Sequence, residues 1–336
     1  MKPDVNLIKI KKNKERIKQL LEELVLGPRV KALDWSKITK QTPNMKIGYP
    51  GQHLASLITG MEGARTGARG DDLVDGTEVK SCSRVDQLDN CSECKNKVLR
   101  TESKCPHCGS SKINRMNDSK WLFSIKSEDE LKLLTSTIDR VLLTIADYPE
   151  YDSSNFEKLR FQAFEIWVKE KRHRNFKEIM SNYYYKIFLE HIKINPNKTP
   201  APKNFWPYSY QFYLCNPVKV FEAVVDNANT DPEIVINLYT EPEADRSSLE
   251  PEKMPIELLS YDEILLMAES KNASYVKEDI SDGYNISDFK KYIDSGKKDI
   301  NQIREFIPNL GEYSKSILPL RDTDKISVEK KKYKRR

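Results

Sequence analysis

The sequence MEGARTGARGDDLVDGTEVKSC, residues 61–82, decides how the rest of the chain is interpreted. Its first half combines three glycines with Arg65 and Arg69, which is typical of a loop whose backbone approaches another molecule with cations alongside. Its second half predicts two short strands that meet at Asp75 and Gly76, because an Asp-Gly pair is a strong hairpin signal. The stretch therefore predicts a loop rich in glycine and arginine, followed by a β-hairpin.

The register of this hairpin determines which side chains share a face. With the Asp-Gly pair as the two central turn residues, counting outward places Asp71 opposite Lys80 and on the same face as Glu78. Asp72 then points to the other face. A slip of one residue or a bulge would exchange Asp72 for Asp71, so the choice between these two aspartates stays open.

Two carboxylates and an ammonium on one face suit the hydrolysis of a phosphodiester. Mg²⁺ prefers oxygen ligands and uses one or two protein carboxylates, which we predict to be Asp71 and Glu78. Lys80 would position the attacking water or help to deprotonate it, and the 3′ oxygen would leave. The alternative is an acidic turn that is only a solvated strand edge.

The segment resembles the restriction-endonuclease-like superfamily, whose motif is an Asp on one strand and Glu-x-Lys on the next. GYPGQHLASLITG followed by TGARGDDLVDGTEVKS is similar to the MutH and Sau3AI group in its order of helix, Gly-rich loop, Asp, six residues and Glu-x-Lys. This resemblance also places the motif Asp on Asp71. The MutH group has a further helix carboxylate whose position falls on Ala55, with Gln52 and Glu62 as the nearest replacements.

A closer resemblance, which covers the paired cysteines and extends to about residue 225, is to the MamI family of type II restriction endonucleases. It implies an α/β fold with a restriction-endonuclease-like mixed sheet flanked by helices. It also implies Mg²⁺-dependent cleavage of both strands of double-stranded DNA at a short palindrome, a homodimer, and a protective methyltransferase as partner. Shared specificity would mean an interrupted palindrome with GAT and ATC half-sites. Two alternatives are a repair nickase of the MutH type and a non-catalytic zinc-ribbon DNA-binding protein.

Four of the six cysteines form two close pairs, which are Cys91 with Cys94 and Cys105 with Cys108. Two residues separate the cysteines of each pair and ten separate the pairs, which predicts a zinc ribbon with four cysteine ligands, inserted at residues 88–118. Four thiolates leave no open position on Zn²⁺ for catalysis, so this metal would be structural. His107 is interpreted as a bystander. A redox or disulfide role is the alternative, although a thioredoxin-type site needs only one pair.

The cations expected to contact DNA lie in three places. Arg65 and Arg69 are in the loop, and Arg84 follows the active-site strand, beside a ribbon with an excess of cations. Arg172 and Arg174 belong to a dense basic cluster between a predicted strand and a predicted helix, where their guanidinium groups would reach guanine. For this cluster the alternative is a solvated turn, and for the ribbon it is a structural or dimer-forming role.

Length, charge and composition limit the number of domains, the kind of partner and the location that the chain can have. The 336 residues suit one large or two ordinary domains, and the net charge of +5 is too small to demonstrate a nucleic-acid partner. No apolar run is long enough to cross a membrane, and the charged N-terminus is unlike a signal peptide, so we expect a cytoplasmic protein.

Three regions are expected along the chain. They are an N-terminal helical segment at 1–44, the endonuclease core at 45–225, and a C-terminal accessory helical region with a basic tail at 226–336. The aromatic run at 207–225 is expected to form one or two strands.

Overall fold

A computed structural model of the chain describes residues 1–43, 45–65 and 72–322. The strands, in chain order, are β1 (Thr77–Ser83), β2 (Asp89–Cys91), β3 (Lys97–Val98), β4 (Ile113–Asn114), β5 (Trp121–Phe123), β6 (Arg140–Asp147), β7 (Leu159–Trp167), β8 (Lys203–Phe205), β9 (Val218–Asp226), β10 (Glu233–Tyr239), β11 (Met254–Pro255) and β12 (Asn309–Leu310).

The helices are α1 (Asn13–Leu21), α2 (Gly27–Thr39), α3 (Gly48–Thr59), α4 (Glu128–Lys132), α5 (Arg174–Asn182), α6 (Leu189–Ile194), α7 (Tyr210–Leu214), α8 (Tyr261–Ala268), α9 (Ala273–Val276), α10 (Ile286–Asp294), α11 (Ile300–Phe306) and α12 (Glu312–Ser316). Stretches of π-helix at Glu22–Leu26, Leu133–Thr137 and Tyr183–Phe188 extend α1, α4 and α5. Within the described residues, no helix is both long enough and apolar enough to span a membrane.

The central element is a mixed sheet of five strands in the order β1-β6-β7-β9-β10. β1 runs parallel to β6, whereas β6 with β7 and β9 with β10 are antiparallel pairs. β6 is buried at every position, which explains its nearly continuous apolar sequence, because a central strand covered on both faces has no solvated side. The predicted mixed α/β sheet is therefore confirmed.

Helix α3 lies unusually close to β1 because a glycine faces the strand. A Cβ atom on Gly51 would lie 2.0 Å from Oγ of Ser81 and 2.9 Å from Oγ1 of Thr144. These two hydroxyl groups are themselves hydrogen-bonded at 2.8 Å. The contact fixes the helix against the strand that carries Glu78 and Lys80.

The chain divides into two compact units that alternate along the sequence. The first consists of residues 1–121, 137–167 and 219–248, and the second of residues 122–136, 168–218 and 249 onward. This division differs from the expected linear one at residue 225, because β10 follows that position and pairs with β9 in the sheet.

The second unit has its own aromatic core. The rings of Phe123, Phe176 and Phe205 pack edge to face, with centroids 5.6 to 6.0 Å apart. The first half of the aromatic run at 207–225 forms helix α7, where a strand was expected, because Oγ of Ser209 accepts the N–H of Phe212 and caps the helix. Its second half forms β9, as predicted.

Candidate active site and metal centre

The turn before β1 has a different register from the predicted one. The N–H of Gly76 donates to the carbonyl oxygen of Leu73 at 3.0 Å, and the N–H of Leu73 donates to the carbonyl oxygen of Thr77 at 3.2 Å. Val74 and Asp75 are therefore the central residues, and Gly76 takes the third loop position with a φ of 74°. This is a three-residue loop closed by a bulge, which requires a left-handed residue only at the glycine. The predicted two-residue turn is wrong.

The bulge changes which aspartate faces Glu78. With the register moved by one residue, counting outward places Asp72 opposite Glu78. Leu73 forms a single bridge with Gly63, and the described residues 72–76 contain no strand. Asp71 lies outside the described residues.

The carboxylate of Asp72 is held by a strand and a helix together. Its Oδ2 accepts the N–H of Val79 in β1 at 2.7 Å, and its Oδ1 accepts Nε2 of Gln52 in α3 at 2.9 Å. Of the two replacements considered for the helix carboxylate of the MutH group, Gln52 therefore contacts the site, whereas Glu62 is exposed beyond the end of α3. The hydrogen bond to Val79 places the carboxylate beside the peptide that follows Glu78.

Glu78 and Lys80 project from the same side of β1, since they lie two residues apart on one strand. Nζ of Lys80 forms an ion pair with Oε1 of Glu78, and the two side chains are 27% and 12% exposed. Lys80 is therefore partly exposed, whereas Glu78 is largely buried. The arrangement offers carboxylate oxygens from Asp72 and Glu78, the donor type that Mg²⁺ prefers, with an ammonium adjacent.

The cysteine insert is a small sheet in the order β3-β2-β4. Its four Sγ atoms all lie within 4.8 Å of one another, with 3.6 Å between Cys91 and Cys108 and 3.5 Å between Cys94 and Cys105. Tetrahedral Zn²⁺ with Zn–S bonds of about 2.3 Å requires sulfur atoms about 3.8 Å apart. The four thiols are therefore arranged to fit such an ion.

The two cysteine knuckles share one backbone geometry. The N–H of Lys95 donates to the carbonyl oxygen of Cys91 at 3.1 Å, and the N–H of Gly109 donates to that of Cys105 at 2.9 Å. Both donor residues have positive φ, 63° at Lys95 and 72° at Gly109. Both residues stand four positions after the first cysteine of their pair, and a glycine fills this position in only one of the two knuckles.

One thiol of the cluster is prepared for ionisation. Hydrogen bonds from Asn96, first from its backbone and then from its side chain, lower the pKa of Cys94 to about 6. The side-chain Nδ2 lies 3.4 Å from Sγ. Because a metal binds the thiolate, these contacts favour the form that acts as a ligand.

Three arginines of the ribbon region have structural contacts. Arg100 and Arg115 both donate to the fully buried carboxylate of Asp89, at 3.0 and 2.8 Å. Arg84 is also buried, and its Nε donates to the carbonyl oxygen of Ser119 at 3.3 Å. The guanidinium of Arg84 is therefore held within the protein. The exposed cations of the ribbon are lysines, namely Lys95, Lys97, Lys104 and Lys112.

The other predicted DNA-contacting arginines differ in their exposure. Arg65 and Arg174 are exposed, and Arg69 lies outside the described residues. Arg172 is engaged within its own unit, because its Nε forms an ion pair with Glu312 at 2.8 Å.

Comparison with known proteins identifies the family of the chain. The model of the MamI restriction endonuclease family matches residues 34–257, a region that contains the turn, β1 and all four paired cysteines. This match covers two thirds of the chain. The chain belongs to the MamI restriction endonuclease family. The resemblance identified in the sequence is thus confirmed.

The chain is similar in sequence to the type II restriction enzyme MamI of Microbacterium ammoniaphilum. It is 38% identical to this chain over 55 residues, which are 16% of this chain and 18% of the relative. The match therefore spans less than a fifth of the length of the relative. No solved structure matches the chain.

Proposed function

We propose that this chain is a type II restriction endonuclease that uses Mg²⁺ to cleave both strands of DNA at a short specific site. The observation that carries the proposal is the carboxylate of Asp72, held at the N–H of Val79 in β1 beside the pair formed by Glu78 and Lys80. Membership of the MamI restriction endonuclease family supports the same conclusion.

Asp72 and Glu78 would hold the catalytic ion through their carboxylate oxygens. Mg²⁺ bound there would polarise the phosphoryl group and lower the pKa of a water molecule. Gln52 keeps the carboxylate of Asp72 oriented by donating to its Oδ1. Asp71, which the two-residue turn favoured, is replaced by Asp72 in this proposal.

Lys80 would act on the attacking water. Its ammonium lies beside Glu78 and is partly exposed, so it can orient a water molecule against the scissile phosphate. The same positive charge would offset the negative charge that develops on the phosphate in the transition state. The bond to the 3′ oxygen would break.

Cleavage of both strands at a palindrome requires two such sites, so we propose a homodimer. Arg65, Arg174 and the exposed lysines of the ribbon would contact the DNA backbone, with Zn²⁺ holding the ribbon together. The resemblance to the MamI family further suggests an interrupted palindrome as the site and a methyltransferase as partner.

The test is incubation of the purified protein with plasmid DNA and Mg²⁺. We expect discrete fragments, and we expect Lys80→Ala and Asp72→Asn each to slow cleavage by about 10²- to 10⁴-fold. Asp71→Asn is the matched control, since it removes the neighbouring carboxylate and should retain most of the activity. Loss of activity in Asp71→Asn but not in Asp72→Asn would show that Asp71, and not Asp72, is the metal ligand.

The products separate this proposal from its alternatives. Relaxed circles without linear DNA would indicate a nickase of the MutH type. Gel shifts that persist in EDTA, with no cleavage by folded protein and no effect of Glu78→Ala on DNA binding, would indicate a DNA-binding protein without catalysis.

A further inference from the structure

A buried arginine holds two residues of the segment that connects Asp72 to β1. Arg140 is the first residue of β6, and its side chain is 1% exposed. Its Nε donates to Oγ1 of Thr77 at 3.0 Å, and its Nη2 donates to Oδ2 of Asp75 at 2.5 Å. Because Arg140 is buried, any effect it has on DNA cleavage must pass through the residues it holds.

The two residues that Arg140 holds are Asp75, a central residue of the turn, and Thr77, which directly follows the bulge at Gly76. Oδ1 of Asp75 accepts the N–H of Thr77 at 3.2 Å, so both carboxylate oxygens of Asp75 are engaged. The carbonyl oxygen of Thr77 accepts the N–H groups of Asp72 and Leu73, at 3.0 and 3.2 Å. The position of Asp72 thus depends on the same short segment that Arg140 fixes to the sheet.

The charges behind Arg140 explain why Asp75 is held there. Glu165, which is fully buried, accepts Nη1 of Arg140 at 2.9 Å and Nε1 of Trp167 at 2.8 Å, and it lies 3.4 Å from Nε of the buried Arg246. In the described part of the chain, this cluster sets two buried guanidinium groups against the carboxylates of Glu165 and Asp75. Without the charge of Asp75, both cations would have to share one carboxylate, and an uncompensated buried charge is costly.

We propose that Arg140 and Asp75 are positioning residues that set the geometry of the metal site by holding the turn against β6. This inference rests on the proposed function, since it concerns the ligands Asp72 and Glu78. Partners that orient metal ligands usually affect metal affinity without touching the metal. Asp75 is therefore more than a turn-forming residue.

The test compares two substitutions in the full-length, zinc-containing protein. Asp75→Asn keeps an oxygen for the N–H of Thr77 but removes the charge that faces Arg140. Asp147→Asn is the matched control, because Asp147 accepts Nε and Nη2 of Arg160, at 3.0 and 2.8 Å, at the other end of β6.

Three quantities are measured for each variant. They are the Mg²⁺ concentration for half-maximal cleavage, the binding of Mn²⁺ in the absence of DNA, and the exchange rate of the Val79 amide in Mg²⁺-free protein. Asp75→Asn should weaken Mn²⁺ binding and raise the required Mg²⁺ concentration by at least about tenfold. It should also accelerate exchange at Val79.

Asp147→Asn should lower the unfolding temperature without changing any of these three quantities. The inference is overturned if Asp75→Asn only lowers the unfolding temperature, in the manner of the control. If the wild-type protein neither cleaves DNA nor binds Mn²⁺ in a way that Glu78→Ala abolishes, the proposed function itself fails and the positioning role fails with it. Faster exchange at Val79 together with weaker Mn²⁺ binding supports the inference.

Discussion

The cysteine ribbon and the turn before β1 belong to the same unit, but they are held in place by different means. In the ribbon, four sulfur atoms converge from two knuckles of equal geometry, and its core contains little more than Cys91, Val98 and Cys105. The turn is held by Arg140, which belongs to a neighbouring strand of a well-buried sheet and donates to Thr77 and Asp75. We therefore expect the ribbon to depend on a bound metal ion for its stability, whereas the turn depends on the packing and charges of the sheet behind it.

The largest effect should come from removing a thiol of the ribbon. Cys105→Ser removes a buried ligand, and structural zinc sites of this kind contribute on the order of 10 kcal/mol to the folding of their segment. We expect the variant to lose its bound zinc and the ribbon to unfold, as measured by zinc content and by amide exchange over residues 88–118. Exchange in β6 should remain slow, because the sheet has its own core.

His107→Ala is the control for this substitution, since His107 is exposed between two ligands. It should keep one zinc ion per chain. The proposed difference between the two regions is wrong if Cys105→Ser retains zinc. It is also wrong if the loss of zinc unfolds β6 together with the ribbon.

A smaller effect is expected where the turn depends on close packing. Gly51→Ala would place a methyl group against Ser81 and Thr144, and overpacking of this kind costs about 1–3 kcal/mol. The helix must move away from β1, which shifts Gln52 relative to Asp72. We expect a lower urea midpoint of unfolding and slower cleavage, with zinc content unchanged.

Gly48→Ala provides the matched control on the same helix. Apart from its chain neighbours and the backbone of its own helix, nothing lies within 4 Å of the Cβ position at Gly48, and replacing a helical glycine by alanine stabilises by up to about 1 kcal/mol. This variant should be at least as stable as the wild type and equally active. Equal behaviour of the two alanine variants would show that the approach of α3 to β1 does not determine the site.

The same difference explains what could be predicted from the sequence. The cysteine spacing predicts which four thiols come together, because residue type and spacing alone define such a cluster, and the structure brings them together. The Glu-Val-Lys segment likewise predicts that Glu78 and Lys80 share one side of β1. The aspartate next to them could not be chosen in the same way. Asp71 and Asp72 are adjacent, so a single bulge at Gly76 decides between them.

Contacts between residues distant in the sequence could not be predicted from it for a related reason. Nothing in the local pattern connects Arg140 to Asp75, which precedes it by 65 positions, or indicates that β10 returns to the sheet after an acidic, proline-containing stretch. The parallel pairing of β1 with β6 brings Arg140 beside Thr77, and only the register of that pairing identifies the contact.

The smallest effect concerns a thiol that belongs to the packed region. Cys82 in β1 is buried, and burial raises its pKa to about 11, so at pH 8 only about a thousandth of it is the reactive thiolate. Iodoacetamide should therefore modify Cys82 very slowly, both before and after chelation of zinc, whereas the four ribbon cysteines should become reactive once the metal is removed. Peptide mapping by mass spectrometry distinguishes these sites. Rapid modification of Cys82 on chelation alone would mean that loss of the ribbon opens the edge of the sheet, and that the two regions are not independent.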